Sequence, residues 1–358
     1  MVKLFVPGRL CLFGEHSDWA GSLRAVDPEI APGACIVTGT DQGIAATAVA
    51  AAGFELTAAL PDGRVYGPLR LPMDGPALQR AAGAADFFSY AAGVVAEVYR
   101  RYRPPGLRIT TTDSGLPVRR GLSSSAAICV LIARAFNLVH GLGLSVREEM
   151  DLAYRGEIAS GSQCGRMDQA CAYGKRPVLL HFDGDEFEVE LLRPRRALLL
   201  LIVDLMHEKD TRRILADLRA HFLGPESDGR TALREALGRR NTQLIAAARA
   251  ALESGDAPSL GALMTEAQAV FDRSVAPACP SELGAPRLHA VLRHAAVPGL
   301  TWGGKGVGSQ GDGAAQFVCR GREERDELAR RLTAEGLQCL PLTIQPLAAQ
   351  DSALRTQD

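Results

Sequence analysis

The pattern of apolar positions is densest in the middle of the chain. Nearly every residue from Ile128 to Val139 is apolar, which is typical of a helix enclosed by other elements. The pattern predicts that this buried helix begins near Ser124. Directly before and into it, residues 117–127 read P-V-R-R-G-L-S-S-S-A-A, so small side chains surround the predicted start of the helix.

Shorter apolar runs before this helix predict mainly strands. One helix is predicted at residues 87–102 and ends before Pro104 and Pro105. A hairpin turn is predicted at residues 61–63, which read P-D-G. The predicted strands cover residues 4–6, 10–13, 34–40, 44–52 and 108–112. The last of these strands leads into the serine-rich loop.

The pattern after the buried helix predicts a second domain. Ser145 and Glu148 have the spacing of a capping box, which predicts a helix that runs to about Ser160. An apolar strand at residues 197–204 follows the sequence R-P-R-R, and we place a boundary there between domains 1–195 and 196–350. The second domain is predicted to contain helices at 231–253, 260–271 and 323–335 and strands at 315–319 and 337–344.

Composition narrows the class of protein. Of the 358 residues, 47% are hydrophobic and 23% are charged, and the formal net charge is −1. These values are typical of globular proteins and provide no positive excess for nucleic acid or a membrane surface. Apolar runs are shorter than a membrane span, and the N-terminus lacks the hydrophobic region of a signal peptide. We expect a cytoplasmic protein, a monomer or homodimer, with a small-molecule substrate and free cysteines.

The serine-rich loop has the features of a phosphate site. Helix N-termini leave backbone N–H groups unpaired, and small side chains let phosphate oxygens approach them. The serine hydroxyls could also bind a magnesium ion. The spacing differs from the Walker motif because no lysine follows the last glycine. The alternative is an ordinary serine cap on a core helix.

A second polar cluster lies near the N-terminus. Residues 7–21 read P-G-R-L-C-L-F-G-E-H-S-D-W-A-G, so Arg9, Glu15, His16 and Asp18 accompany an apolar strand. A loop after a buried strand is a usual place for a polar substrate. The alternative is a surface loop whose charges are clustered by chance.

Three further segments carry candidate chemistry. Asp168 lies in G-S-Q-C-G-R-M-D-Q-A and follows Glu157 by eleven positions. One carboxylate could act as a base and the other could hold a metal, or both could be surface acids. Residues 303–313 contain six glycines, which could form a second nucleotide loop or a linker. After the strand at 197–204, basic residues could contact phosphate, although a solvated helix start is the favoured interpretation: His207, Lys209, Arg212 and Arg213.

Together these segments resemble the GHMP kinases, the superfamily of galactokinase, homoserine kinase, mevalonate kinase and phosphomevalonate kinase. The segment at 7–21 resembles the sugar-binding signature of galactokinases, and the serine loop resembles their ATP loop. C-G-R-M-D-Q is similar to the segment with the catalytic aspartate, and G-K-G-V-G-S-Q-G-D-G-A-A to the C-terminal glycine motif. The resemblance implies an α+β fold, with an N-terminal domain like domain 2 of ribosomal protein S5 and a ferredoxin-like C-terminal domain.

The resemblance also implies roles for individual residues. Asp168 would be the catalytic carboxylate with Arg9 as its cationic partner, and Ser125 and Glu157 would hold Mg²⁺. The residues implied to meet the substrate are Glu15, His16, Asp18 and Trp19, the last of them against an apolar face. The residues implied to wrap the ATP phosphates are Gly121, Leu122, Ser123, Ser124, Ser125 and Ala126.

The expected function is therefore ATP- and Mg²⁺-dependent phosphorylation of a sugar, at its anomeric hydroxyl. Trp19, the segment at 23–36, and Gln310 and Asp312 depart from the galactokinase pattern, so galactose is expected to be a poor substrate. The alternatives are a cyclitol or polyol kinase and a noncatalytic sugar sensor. A hydroxylated acid such as mevalonate is disfavoured as the substrate. The segment at 7–21, called the first motif below, has no additional cluster of cationic residues beside it that could bind an acid.

Overall fold

The computed structural model describes residues 1–60, 63–113, 115–116, 122–162 and 164–346. The predicted hairpin at 61–63 lies partly outside these residues. The strands are β1 Val2–Phe13, β2 Gly33–Ala51, β3 Phe54–Ala59, β4 Val65–Leu71, β5 Gly106–Asp113, β6 Val178–Asp183, β7 Glu186–Leu191, β8 Leu198–Asp204, β9 Thr301–Gly306, β10 Ala314–Cys319 and β11 Gln338–Ile344.

Helices fill the connections between these strands. Short 3₁₀ helices occur at Leu23–Ala25, Asp168–Tyr173 and Ala276–Ala278. The α-helices are α1 Ser17–Ser22, α2 Gly75–Ala82, α3 Ser89–Tyr102, α4 Ser124–His140, α5 Val146–Ala159, α6 Thr211–Leu223, α7 Asp228–Leu237, α8 Arg239–Ser254, α9 Ala257–Ser274, α10 Pro280–Leu283, α11 Pro286–Leu292, α12 Val297–Leu300 and α13 Arg322–Ala334.

The first sheet is organised around the long strand β2. Its strand order is β4-β3-β5-β2-β6-β7, and β1 also pairs with β2. The sequence predicted two strands here, separated by a turn at residues 41–43, and this was wrong. The polar residues are accommodated within one strand, because Gly43 pairs with Pro7 of β1 and Asp41 forms an exposed ion pair with Lys175 at 2.5 Å.

Strand β1 also joins two segments that the sequence predicted as separate strands. Its register against β2 shifts between Pro7 and Arg9, so Gly8 occupies a bulge. A Cβ atom at Gly8 would lie 3.0 Å from the carbonyl oxygen of Leu122 and still closer to Leu116. The bulge therefore lets the serine loop pack directly against β1.

The second sheet has the strand order β11-β8-β10-β9, with every pair antiparallel. When the strands are numbered in chain order, the order across the sheet is 4-1-3-2. Helices connect β8 to β9 and β10 to β11. That is the ferredoxin-like pattern, and the predicted α+β fold class is confirmed. The predicted boundary at 195/196 falls between the last strand of one sheet and the first of the other.

Most predicted helices occur with shifted ends, and one is divided. The capping box of Ser145 and Glu148 is present at the start of α5. The helix predicted at 231–253 consists of α7 and α8, which meet at Gly238. A Cβ atom there would lie 2.7 Å from the Cβ of Ala31, so the break also makes room for the segment after α1.

The two sheets share one core. A continuous cluster of buried apolar residues includes Leu12 of β1, Ile132 of α4, Ile202 of β8 and Val318 of β10. The Gln316 side-chain amide of β10 donates a hydrogen bond to the Cys11 carbonyl at 2.6 Å. Residues of the N-terminal motif and of the glycine-rich segment are therefore held against each other. No helix of the described chain is both long and apolar enough to cross a membrane.

Candidate active site

The start of α4 is arranged to receive an anion. Ser123 precedes the helix in a left-handed conformation, with φ of 57°, and its side chain makes no capping hydrogen bond. Ser123, Ser124 and Ser125 are half-buried, whereas Leu122 and Ala126 are buried. Among the described residues, the first backbone N–H groups of α4 thus receive no acceptor from the cap side chain, which suits a phosphate site. Gly121 lies outside the described residues.

Arg9 and Asp168 form an ion pair across 159 positions of sequence. The Arg9 backbone N–H also donates to the Leu122 carbonyl at 3.0 Å, which ties the pair to the serine loop. Burial opposes ionisation of Arg9, but Asp168 holds its pKa above the ordinary value. Arg9 is 3% exposed, and its Nε and Nη1 atoms have no hydrogen-bond partner among the described residues.

Asp168 is accessible although its partner is buried. It opens the 3₁₀ helix Asp168–Tyr173, and 27% of its side chain is exposed. The carboxylates of Asp18 and Glu157 both interact electrostatically with it. Three carboxyl groups and one guanidinium thus converge beside the start of α4.

Glu157 lies between the serine loop and Asp168. The Ser125 hydroxyl donates to one of its oxygens at 2.9 Å, and the Gln169 amide donates to the other at 2.7 Å. Burial, followed by repulsion from Asp168, raises the pKa of Glu157 to about 7. The side chain is therefore poised between its charged and neutral forms near neutral pH.

Ser125 and Glu157 fit a magnesium ion that is held mainly by phosphate. Hydroxyl and carboxylate oxygens are the ligands that Mg²⁺ prefers, and Mg²⁺ usually takes only one or two from protein. In the described part of the chain, no group of three or more His, Cys, Asp or Glu side chains could hold a metal alone. The neighbouring Gln169 Oε1 atom is buried without a hydrogen-bond partner there.

Glu15 and His16 are both engaged by other protein groups. Glu15 forms a buried ion pair with Lys305 of β9. The Trp19 indole N–H donates to His16 Nδ1 at 3.0 Å, and His16 Nε2 lies 3.4 Å from the Ser309 carbonyl. An indole N–H only donates, so the His16 proton belongs on Nε2. Burial lowers the pKa of His16 to about 4, which keeps the ring neutral.

Asp18 is held close to Asp168 by backbone donors. It accepts from the Met167 N–H at 3.3 Å and is 4% exposed. Burial and then Asp168 raise its pKa above the usual range. Gly165 makes this position possible, because a Cβ atom there would overlap the Asp18 carboxylate.

Trp19 differs from the expectation that it faces substrate. Its ring is 3% exposed and packs edge-to-face on Phe222 at 5.5 Å, with the Arg219 guanidinium 5.6 Å from its centroid. The structure thus connects Trp19 to the site through its hydrogen bond to His16.

The glycine-rich segment surrounds a lysine. The Lys209 amine donates to the carbonyls of Gln310 and, at 3.2 Å, Val307. A Cβ atom at Gly313 would lie 2.9 Å from Lys209 Cε. The segment is not a linker, because residues 301–306 belong to β9 and only residues 307–313 connect this strand to β10. Lys209 is not a solvated helix residue, since it is half-buried beside the site.

The comparisons with known proteins agree with this arrangement. Residues 89–175 match the family model described as GHMP kinases N terminal domain, and this range contains the serine loop, Glu157 and Asp168. This segment of the chain is similar to the N-terminal domain of GHMP kinases.

Two curated relatives are each similar to part of the chain. The mevalonate kinase of Aeropyrum pernix is 31% identical over 205 residues, which are 55% of this chain and 59% of that one. The galactokinase of Thermotoga maritima is 36% identical over 104 residues, 28% of this chain and 29% of that one. Both alignments span less than two thirds of the relative.

A likeness in fold extends over nearly the whole chain. The crystal structure of Lactococcus lactis galactokinase complexed with galactose has a TM-score of 0.72, covering 96% of this chain and 93% of that one at 15% identity. At this identity the likeness concerns the two-domain fold alone.

The sequence missed three residues of this candidate site or left them unassigned. Lys305 was interpreted only as part of a glycine-rich stretch, Gln169 was not considered, and for Lys209 a solvated position was favoured over a phosphate contact. The available signal was the position of Lys305 between two glycines, in a strand with no other charged residue. A lysine in such a strand must find a buried partner.

Proposed function

We propose that this chain transfers the γ-phosphate of ATP to a hydroxyl group of a sugar or sugar-like small molecule. The observation that carries the proposal is the Arg9–Asp168 ion pair beside the uncapped start of α4. It brings an accessible carboxylate, a buried cation and a phosphate-receptive helix end together. Phosphoryl transfer needs little more from a protein, because positioning and charge stabilisation supply most of the rate.

Asp168 is proposed to accept or orient the proton of the attacking hydroxyl. Its exposed fraction leaves the carboxylate accessible, while the ion pair with Arg9 orients it. The unpaired Nε and Nη1 atoms of Arg9 provide donors for charge that develops on the transferred group. No residue of the described site suggests a phosphoenzyme, so direct transfer is proposed.

The residues around the serine loop are proposed to receive the nucleotide. The backbone N–H groups at the start of α4 would face phosphate oxygens, and Ser125 with Glu157 would hold Mg²⁺. A bound Mg²⁺ would neutralise phosphate charge during transfer. Glu157 must lose its proton for this role, which its pKa near 7 permits.

The acceptor is proposed to lie on the side of Asp18 and Glu15. Phosphorylation at an anomeric sugar hydroxyl is the finer form of the proposal, and a cyclitol or polyol is the alternative. Support comes from the names of relatives, which include a galactokinase and a mevalonate kinase. A sugar sensor without activity is disfavoured by the intact Arg9–Asp168 pair.

The test is ADP release with Mg²⁺ and ATP over a panel of sugars, sugar acids, sugar phosphates, cyclitols and mevalonate. We expect at least one compound to stimulate release more than tenfold, and Asp168→Asn to abolish that stimulation. Asp183→Asn, an exposed aspartate paired with Arg24, is the matched control. A compound that binds without stimulating ADP release in any condition would support the sensor instead.

A further inference from the structure

The Lys209 side chain lies beside the proposed acceptor site, in a position formed by glycines and backbone carbonyl groups. Its side chain passes between Gly311 and Gly313, where Cβ atoms would lie 3.5 Å from its Cδ and 2.9 Å from its Cε. Two backbone carbonyls, of Val307 and Gln310, accept hydrogen bonds from the amine. Since an ammonium group has three donors, one donor remains for another partner.

Lys209 differs from the other cations of the cluster in its partners. Arg9 is paired with Asp168, and Lys305 is paired with Glu15. Within the described residues, Lys209 forms no ion pair, and its hydrogen bonds reach only carbonyl oxygens. Its charge acts on the same groups, because Arg9, Glu15, Asp168 and Asp312 all interact electrostatically with it.

The location of Lys209 favours the acceptor over the nucleotide. The charge of Lys209 contributes to the lowered pKa of His16. The segment that accepts the hydrogen bonds of Lys209 also contains the Ser309 carbonyl, which lies 3.4 Å from His16 Nε2. Two residues after Lys209, the Thr211 hydroxyl lies 3.3 Å from that of Ser309. Lys209 thus lies with the first motif.

We infer that Lys209 recognises an anionic group, a carboxylate or a phosphate, on the acceptor substrate. The inference rests on the proposed kinase function and names the class of its substrate. It reverses the sequence-based argument against acidic acceptors, because a cation distant in sequence is brought beside the first motif. Burial and then Arg9 lower the pKa of Lys209 to about 7, and a bound anion would restore its charged form.

The test compares neutral and acidic forms of the same acceptors. Glucose, galactose and mannose are each assayed beside the corresponding uronate and 6-phosphate, and mevalonate is added as a hydroxy acid. For wild-type protein we expect kcat/KM to be at least tenfold higher for an acidic member than for its neutral parent. The uronate and phosphate arms show which anion is preferred.

Variants at Lys209 then separate recognition from folding. We expect Lys209→Met to lower kcat/KM for the acidic acceptor at least tenfold, mainly through KM, and for its neutral parent less than threefold. Lys209→Arg should recover part of the loss, and Lys175→Met, at an exposed lysine, should change neither value. The Kd for ATP, measured by titration, should stay within threefold of wild type.

Measuring the Tm in the presence of each compound distinguishes failure of the anion inference from failure of the proposed kinase function. Acidic compounds that raise the Tm of wild type but not of Lys209→Met support anion recognition even where no ADP is released, and that result would count against the kinase. Turnover confined to neutral acceptors overturns the anion inference and leaves the kinase standing. Equal losses on neutral and acidic acceptors, a weakened ATP Kd, or no Lys209-dependent shift with any acidic compound would also overturn it.

Discussion

Lys305 and Glu15 form a buried ion pair between residues 290 positions apart in the chain. The pair joins β9 of the second sheet to the loop that follows β1 of the first. Lys305 also donates to the Gly306 carbonyl at 3.0 Å. The position of the first motif thus depends on a residue of the other domain.

Replacing Lys305 by Met should strongly destabilise the protein. The substitution leaves the Glu15 carboxylate buried without its cation, and loss of one partner of a buried pair typically costs about 3–5 kcal/mol. Urea unfolding measures the free energy. The exposed Lys175–Asp41 pair provides the control, because Lys175→Met should cost about 1 kcal/mol or less. Equal losses in the two variants would contradict the burial argument.

Replacing Asp168 by Asn should remove turnover and preserve nucleotide binding. The change keeps the shape of the side chain but removes the charge beside the acceptor hydroxyl, so kcat should fall by about 100-fold or more. The Kd for ATP should stay near wild type, since the phosphates are expected at α4. A decrease in kcat of tenfold or less would take Asp168 out of the mechanism.

Replacing Glu157 by Gln should stabilise the metal-free protein at alkaline pH. Burial and Asp168 raise the pKa of Glu157 from 4.5 to about 7. The folded state therefore favours the protonated acid. The contribution of this protonation to the free energy of unfolding is complete below pH 4.5 and is lost as the pH rises through 7. The glutamine mimics the neutral acid, so its advantage should grow from pH 5 to pH 8, to about 2–4 kcal/mol.

Denaturant unfolding in EDTA at the two pH values measures this advantage. The same substitution should raise the Mg²⁺ concentration needed for half-maximal activity, because it removes a charged ligand. Ser125→Ala should share the second effect but should not stabilise the protein, because the buried Glu157 carboxyl remains and loses a hydrogen bond. An advantage independent of pH would show that Glu157 titrates normally.

Local patterns predicted much of the fold correctly. The start of α4 at Ser124 and the capping box at Ser145 depend on residues a few positions apart, so the sequence contains all that decides them. The polar residues 41–43 were misread as a turn, because the pairing of Gly43 with Pro7 that keeps β2 continuous comes from a separate segment.

The candidate site was predictable where residues fall within recognisable segments. Arg9, Asp168, Glu157 and the serine loop were selected in this way, and the structure brings their described members together. The glycines at 303–313 were interpreted as a second nucleotide loop or a linker, whereas the group beside them in the structure is the Lys209 side chain. Lys209 follows β8, and the glycine-rich segment precedes β10. The pairing of these two strands brings Lys209 to the segment, and local sequence spacing does not encode that pairing.

Replacing Gly165 by Ala should disturb Asp18. A methyl group at this position would overlap the Asp18 carboxylate, which is buried and has little room to move. We expect kcat/KM for the acceptor to fall at least tenfold while the Kd for ATP stays unchanged. Gly299→Ala is the control, because a Cβ atom there meets nothing within 4 Å. Normal acceptor kinetics in Gly165→Ala would exclude a substrate role for the observed Asp18 position.

Replacing Trp19 by Phe tests how the first motif reaches the substrate. Phenylalanine retains the apolar packing on Phe222 but removes the indole N–H that donates to His16 Nδ1. A buried acceptor then lacks its donor, so unfolding free energy should fall by about 1–3 kcal/mol. The acceptor KM should rise less than tenfold, because the neutral His16 ring keeps its contact with the Ser309 carbonyl. Thermal unfolding and steady-state kinetics measure both quantities. The opposite result, a KM raised more than tenfold at unchanged Tm, would mean that Trp19 contacts the acceptor directly, as the sequence first suggested.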